Sequence, residues 1–384
     1  MVNVVDLPWR SLSSPVWGYF SIRNAMRSVR AVRKNGQDIT LCVGPGHLPI
    51  AAFISCFLKV PHFFYAVGKS MSPALRFFLG SIIANCEETQ DSFAQWLKRN
   101  PKTIPVIRAR INLSVFKPSV QDNPDRNTVK AVTMSRLVLG KSEGIAIMMK
   151  AILMLNKKNK RIDLEVFGDG DGIEALKAEA DRINDEVGIN IISIRGKIRS
   201  VQNELPYYDI ALGIGRGTWE SMACGIPTIV VGKEGLGGIV CSETLSKLMR
   251  HNFTARGNRE KRDTKDVADA IETLLDDPDY RKEVGDYGLD VVRKHYDVRT
   301  GARYLERILQ HAVTAGSDRC LPTNPALLIS LIFLKVFHVS KCLAKWICHP
   351  RESLYVFQNT RNLSRCSQNN ISTIQGHLMN GQKI

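Results

Sequence analysis

The chain has 384 residues, 44% of them hydrophobic, which suffices for two medium-sized cores and excludes disorder of the whole. Its formal net charge of +16 is uneven: residues 1–120 hold 15 Lys and Arg against 5 Asp and Glu, residues 121–317 hold 30 against 30, and residues 318–384 hold 8 against 2. The basic field belongs to the first third and the tail, where it favours anionic membrane surfaces, nucleic acid or anionic substrates without choosing among them. The 9 cysteines show no CxxC pair and no Cys/His ligand spacing, so neither a zinc site nor a disulfide framework is expected, and they fit a reducing cytosol. The opening MVNVVDLPWR reads as no secretory signal, because no basic leader precedes a long apolar run.

In chain order, Ser21 to Lys34 reads as a helix stopping at Asn35-Gly36. Arg23, Arg27, Arg30, Arg33 and Lys34 share an arc beside Ile22, Met26, Val29 and Val32, which suits either a solvated face or a surface that meets acidic lipid or substrate. Ile39 to Val43 predicts a strand, GPGH a turn carrying His47, Leu48 to Leu58 a helix and Pro61 to Ala66 a second strand, which together make one βαβ unit. Ile82 to Asn85, a helix through Trp96, and Ile104 to Arg108 continue the alternation. QDNPDRN (121–127) is a polar, proline-bearing linker and the expected domain boundary. Beyond it the pattern restarts with a strand at Ala131 to Met134, a helix at Ser142 to Leu155, a strand at Asp163 to Phe167, a helix at Gly172 to Asn184 and a strand at Ile189 to Ile194.

The stretch YDIALGIGRGTWESMACGIPTIVVGKEGLGG (208–238) predicts strand, glycine turn, helix and strand, with Glu220 in the helix's first turn. Free backbone N–H groups at such a helix N-terminus attract an anion, and Gly215 and Gly217 let a phosphate approach the backbone. Arg216 and Thr218 lie in the same turn. Asp263 to Asp276 and Tyr280 to His295 read as closing amphipathic helices. In the tail, the uninterrupted apolar run Ala326 to Leu334 is too short to span a bilayer. Lys335, His338, Lys341 and Lys345 oppose Ile332, Val336, Val339, Leu343 and Ile347, as on an interfacial helix or one docked on the protein. From Arg351 onward Ser, Asn and Gln predominate, and disorder is expected.

WESMACGIPTIVVGKEGLGGIV resembles the EAMAcGxPvV signature in the donor domain of group 1 glycosyltransferases with the GT-B fold. MSRLVLGKSEG is similar to that family's RLxxxKG motif, INLSVFKP (111–118) to its interdomain stretch, and the segment from Asp263 to Val298 to its C-terminal pattern. The resemblance covers roughly residues 38–312 and implies two Rossmann-like domains with parallel sheets facing a cleft. It implies that Glu220 contacts the nucleotide's ribose, that Arg136 and Lys141 hold the diphosphate, and that His47 faces the cleft to touch donor sugar or acceptor. The family has a further Glu eight positions before Glu220, where this chain has Leu212. The family also opens with an additional strand and glycine loop, for which the residues ahead of Ile39 look short.

Cleaving a sugar–phosphate bond builds negative charge on the departing diphosphate, which calls for fixed cations nearby. Arg136 and Lys141, with the GDG turn of Gly168 and Gly170 and with Glu220, are expected on strand-end loops of one sheet. Arg216 either adds a phosphate contact or pairs with Glu220. No metal or other cofactor is expected, since arginine and lysine supply the charge. HExxH and P-loop GxxxxGK[ST] patterns are missing from the sequence, against metalloprotease and ATPase chemistry.

The expected organisation is an acceptor-side domain over 1–120, a nucleotide-sugar domain over 121–317 and a basic tail with an amphipathic helix over 318–384. The expected function is glycosyl transfer, with retention, from a nucleotide sugar to a lipid-linked or polysaccharide acceptor. The expected place is cytoplasmic, peripheral at an anionic membrane surface. Nucleic acid is not an expected partner, for want of a recognition motif. The alternatives are a degenerate protein that binds nucleotide sugar without transfer and an epimerase of the same fold.

Overall fold

The computed structural model describes residues 39–315 apart from 46–47, 70, 72–75, 77–78, 119–127, 139 and 258–262. His47, the Ser21–Lys34 helix, the linker and the tail helix lie outside the described residues. Two separate sheets follow one another along the chain, as the restart of the hydrophobic pattern predicts.

The first sheet holds three parallel strands in the order β1 (Thr40–Val43), β2 (His62–Ala66) and β3 (Ser81–Ala84). Helix α1 (Leu48–Leu58) connects β1 to β2, and α2 (Glu87–Leu97) follows β3. Phe64, Ile82, Ala84 and Phe93 belong to the core on one face, where Phe93 lies against both Phe64 and Trp96. The predicted strand Ile104–Arg108 is only a bridge between Ala84 and Val106. Pro105 has no N–H to give a ladder, and its carbonyl instead accepts from Ala84 at 2.9 Å.

The second sheet has six strands in the order β6-β5-β4-β7-β8-β9. These are β4 (Val129–Met134), β5 (Ile162–Phe167), β6 (Ile192–Gly196), β7 (Ile210–Gly213), β8 (Thr228–Gly232) and β9 (Gly235–Ile239). All neighbours are parallel except the β8–β9 hairpin. Helices α3 (Lys141–Lys157), α4 (Ile173–Val187), α5 (Arg216–Ala223), α6 (Ser242–Arg250), α7 (Thr264–Asp276) and α8 (Pro278–His295) fill in the connections. Alternate strand residues serve opposite layers: Ala131, Ile210, Leu212, Ile229 and Val231 join one core with α3, α4 and α7, while Val132, Ala211 and Val230 join another with α5, α6 and α8.

Local chemistry explains the element ends. Asp263 caps α7 by accepting from Lys265 and Asp266, and Asp277 caps α8 with Pro278 at the first helical position. The β6 strand starts later than the predicted Ile189, because the Asn184 side chain accepts from the N–H groups of Ile191 and Ile192. The chain then returns through α9 (Val298–Ala315), whose Leu305, Ile308, Leu309 and Ala312 pack on Phe63, Ile83 and Ile107 of the first unit. No helix among the described residues is long and apolar enough to cross a membrane.

Candidate functional site

In the second sheet the strand order reverses between β4 and β7, so the connections leaving these neighbours go to opposite sides and open a crevice at their carboxyl ends. The loop from Ser135 to Gly140 leaves β4, and the turn from Ile214 to Gly215 leaves β7. A Cβ on Gly217 would lie 2.7 Å from the Met134 carbonyl oxygen, so glycine lets α5 begin against the end of β4. Gly215 has φ 63° and ψ −127°, a conformation that a side chain would oppose. Its N–H donates to the Phe253 carbonyl at 2.9 Å and is thus committed to the turn. The amides of Arg216, Gly217 and Thr218 precede the first backbone bond inside α5, from Trp219 to the Gly215 carbonyl, and form the anion-attracting end of that helix. The Thr218 side chain is buried and its hydroxyl donates to the Gly215 carbonyl, so it braces the turn from within.

Glu220 lies one turn further along than the first-turn position expected, because α5 starts at Arg216. The residue is only 8% exposed, and its carboxylate accepts from Arg216 Nε at 2.7 Å. The Arg216 side chain is exposed, so of the two partners it is the one with room to turn. Behind Glu220, Trp219 stacks on Tyr296 with ring centroids 5.2 Å apart and meets Phe253 edge-on, fixing this helix to the core.

Arg136 is exposed, Lys141 is half-buried as the first residue of α3, and neither has a carboxylate partner among the described residues. Burial first, and then the Arg136 guanidinium, lower the Lys141 pKa below its ordinary value. The loop is held from beneath by the GDG turn: Leu137 N–H donates to the Asp169 carbonyl at 2.9 Å, and Gly172 N–H to the Leu137 carbonyl at 2.7 Å. A Cβ on Gly168 would strike the Ser135 carbonyl and one on Gly170 would come within 2.6 Å of the Leu137 carbonyl. These glycines thus sit under the cation-bearing loop and allow the two backbones to touch.

Lys233 was missed in the sequence. The β8–β9 hairpin folds over the start of α3, where a Cβ on Gly144 would lie 2.9 Å from the Gly232 carbonyl carbon and one on Gly140 would lie 3.9 Å from Lys233 Cδ. The signal was the turn GKEG directly after a β-branched run, a third strand end beside the crevice. Leu212 is 3% exposed inside β7 and faces the core shared with α3 and α7. A carboxylate at that position would be enclosed in apolar packing, away from the crevice. Among the described residues no group of three or more His, Cys, Asp or Glu side chains is placed to hold a metal ion.

Residues 87–286 match the family described as family 4 glycosyltransferase in conflict systems. No curated protein matches the chain. Solved structures share its architecture. HepE of Anabaena, in complex with UDP and glucose, is 16% identical over 75% of this chain and 81% of its own, with a TM-score of 0.57. A glycosyltransferase from Rickettsia africae is 15% identical over 77% and 82%, with a TM-score of 0.58. A point mutant of TarM of S. aureus, in complex with fondaparinux, alpha-GlcNAc-glycerol and UDP, is 14% identical over 74% of this chain and 59% of its own, with a TM-score of 0.55. At these identities the likeness carries the fold, which is that of GT-B proteins with two Rossmann-like domains.

Proposed function

The chain belongs to the family 4 glycosyltransferases of conflict systems, and from that premise we propose that the crevice between β4 and β7 holds the diphosphate of a nucleotide sugar whose glycosyl group passes to an acceptor on the first unit. The observation that carries this reading is the convergence of Arg136 and Lys141, two cations with no carboxylate partner among the described residues, with the open N-terminus of α5 at one switch point.

In this reading Arg136 and Lys141 neutralise charge that grows on the departing diphosphate, and the amides of Arg216 to Thr218 hold its oxygens. Lys233 supplies a third cation from the neighbouring hairpin. Glu220 accepts from the ribose hydroxyls, while Arg216 shares its carboxylate before the nucleotide binds and turns to a phosphate afterwards. A bound metal is unnecessary, because three side-chain cations provide the charge.

The acceptor we propose is lipid-linked or a polysaccharide, with the reaction at the cytoplasmic face of a membrane. Support comes from the basic first third and tail and from the sequence of 332–347, whose spacing sets Lys335, His338, Lys341 and Lys345 opposite its apolar residues if helical. We propose retention of anomeric configuration on the family resemblance, with Leu212 leaving the sugar to be held by groups other than a carboxylate at that position.

The test is a screen of nucleotide sugars for binding and for turnover with glycan and lipid-linked acceptors. Transfer to an acceptor is the expected result. Binding without turnover points to a degenerate binding protein, and interconversion of the nucleotide sugar without acceptor points to an epimerase.

A further inference from the structure

Besides the packing of α9 on the first unit and the bond from Arg110 to the His295 carbonyl, the two units meet through two unlike contacts. The first is backbone: Ile111 N–H donates to the Tyr296 carbonyl at 2.7 Å and Val298 N–H to the Ile111 carbonyl at 3.0 Å, a short parallel bridge where the chain passes back towards the first unit. The second is charged and lies on α2. Glu88, 9% exposed, accepts from His251 Nδ1 at 3.0 Å on Oε1 and from Arg256 Nη2 at 2.8 Å on Oε2, both groups of the second unit. Lys69 of its own unit also pairs with Oε1. One turn along α2, Asp91 accepts from Arg250 Nη2 at 2.5 Å. Glu87, the other acidic residue of that turn, is occupied by Arg108 within the first unit.

A carboxylate with Lys69, Arg256 and an imidazole around it, and so little exposure, is not an ordinary surface ion pair. Burial pushes the Glu88 carboxyl up, but the hydrogen bonds from Lys69, Arg256 and His251 outweigh it and hold the group at about 2, so it is ionised throughout the neutral range. Position adds to the argument. His251 and Arg256 flank Phe253, whose carbonyl fixes the Gly215 amide of the glycine turn, and α2 leaves the carboxyl end of β3. The charged contact therefore sits beside the crevice, and the backbone bridge reaches the same turn from the other side of Phe253, whose ring meets Tyr296 edge-on at 5.8 Å.

We propose that Glu88 is a positioning residue for glycosyl transfer, a latch that sets how the acceptor-side unit closes on the nucleotide-binding turn through Arg256 and His251. This deepens the glycosyltransferase reading and rests on it for its effect on turnover. Glu88 touches no reacting group itself. It acts by fixing where the first unit stands when the bond breaks, so its loss lowers kcat and spares donor binding, which belongs to the second unit alone.

The full-length protein with Glu88→Gln, Arg256→Gln and the pair combined tests this by hydrogen exchange and steady-state kinetics. Each single change is expected to speed exchange in residues 248–257 by at least roughly ten-fold, with the strands of the six-stranded sheet unchanged. The double variant should be no worse than Glu88→Gln alone, since that change already takes away the partner of Arg256. With a nucleotide sugar that the wild type turns over, kcat should fall by roughly ten-fold while the donor KM moves by less than about two-fold. Unchanged exchange at 248–257 in both singles overturns the latch, as do effects that simply add, which is what a role for Glu88 confined to α2 would give. Should the wild type turn over no nucleotide sugar, the glycosyltransferase reading fails, while the exchange measurements still decide the contact between the units.

Discussion

The six-stranded sheet is covered on both faces by helices from its own stretch of chain, whereas the three-stranded sheet has one face covered by α9, which arrives from beyond the second unit. The second unit therefore completes its core with little more than Ile111 and Phe116 from before the linker, and can devote its strand-end loops to a ligand. The first depends on a distant segment for Phe63, Ile83 and Ile107 to be buried at all. Damage to the one should appear as lost chemistry in an intact fold, and damage to the other as lost fold with donor binding intact.

The largest expected effect is on the dependent side. Ile83→Asp places a charge at a fully buried position between β3 and α9, at a cost of about 3–5 kcal/mol or more. Calorimetry should show the first unit's transition lost or lowered, with nucleoside diphosphate binding by the second unit retained. A single shared transition that takes binding with it would show that the units are not separable. On the other side, Arg136→Ala or Lys141→Ala should reduce turnover by roughly 100-fold, by analogy with removed oxyanion donors, with little change in melting temperature. Turnover at the wild-type rate would return these cations to the solvated surface.

Glu220→Ala should weaken UDP or GDP binding by roughly 1–3 kcal/mol, the loss of a charge-assisted hydrogen bond to ribose. Titration calorimetry checks it, and equal affinity in a folded variant removes Glu220 from the site. The smallest effect concerns pH. Burial, and then Arg136, lower the Lys141 pKa from 10.5, so in the window just below that value the unfolded chain binds more protons than the folded one and stability gains with rising pH from this group. Turnover should move the opposite way, falling in the same window as the site loses a cation. Lys141→Arg should keep part of the activity and move the alkaline fall upward. A pH–rate profile unaffected by that substitution would mean another group governs the alkaline limb.

What was legible in the sequence follows the same division. The strands of the second unit are runs rich in β-branched residues, and the structure keeps them with shifts of one to three residues, the largest at the β6 strand, which starts at Ile192. The glycine turn was readable because Gly215 needs its backbone conformation and Gly217 its closeness to Met134, constraints that a sequence records directly. The β9 strand was not, since GLGGI has little β propensity and is held by pairing with β8 and by burial. Lys233 stayed hidden for the same reason, because nothing local says that its hairpin folds over α3. The Glu88 contacts with His251 and Arg256 join residues more than a hundred positions apart, and an acidic helix start reads alike whether its partner is the helix dipole or another domain.

The position of α9 also bears on how the protein is made. Synthesis delivers β1, β2 and β3 first, yet Leu305, Ile308, Leu309 and Ala312 are among the last described residues to emerge. A nascent chain cannot close the first unit's second face until the whole donor unit has left the ribosome. Phe63, Ile83 and Ile107 stay uncovered in the meantime, a sticky surface of the kind that recruits chaperones. The second unit needs nothing from beyond Tyr296 for its core, so in the order of birth it is finished before the first.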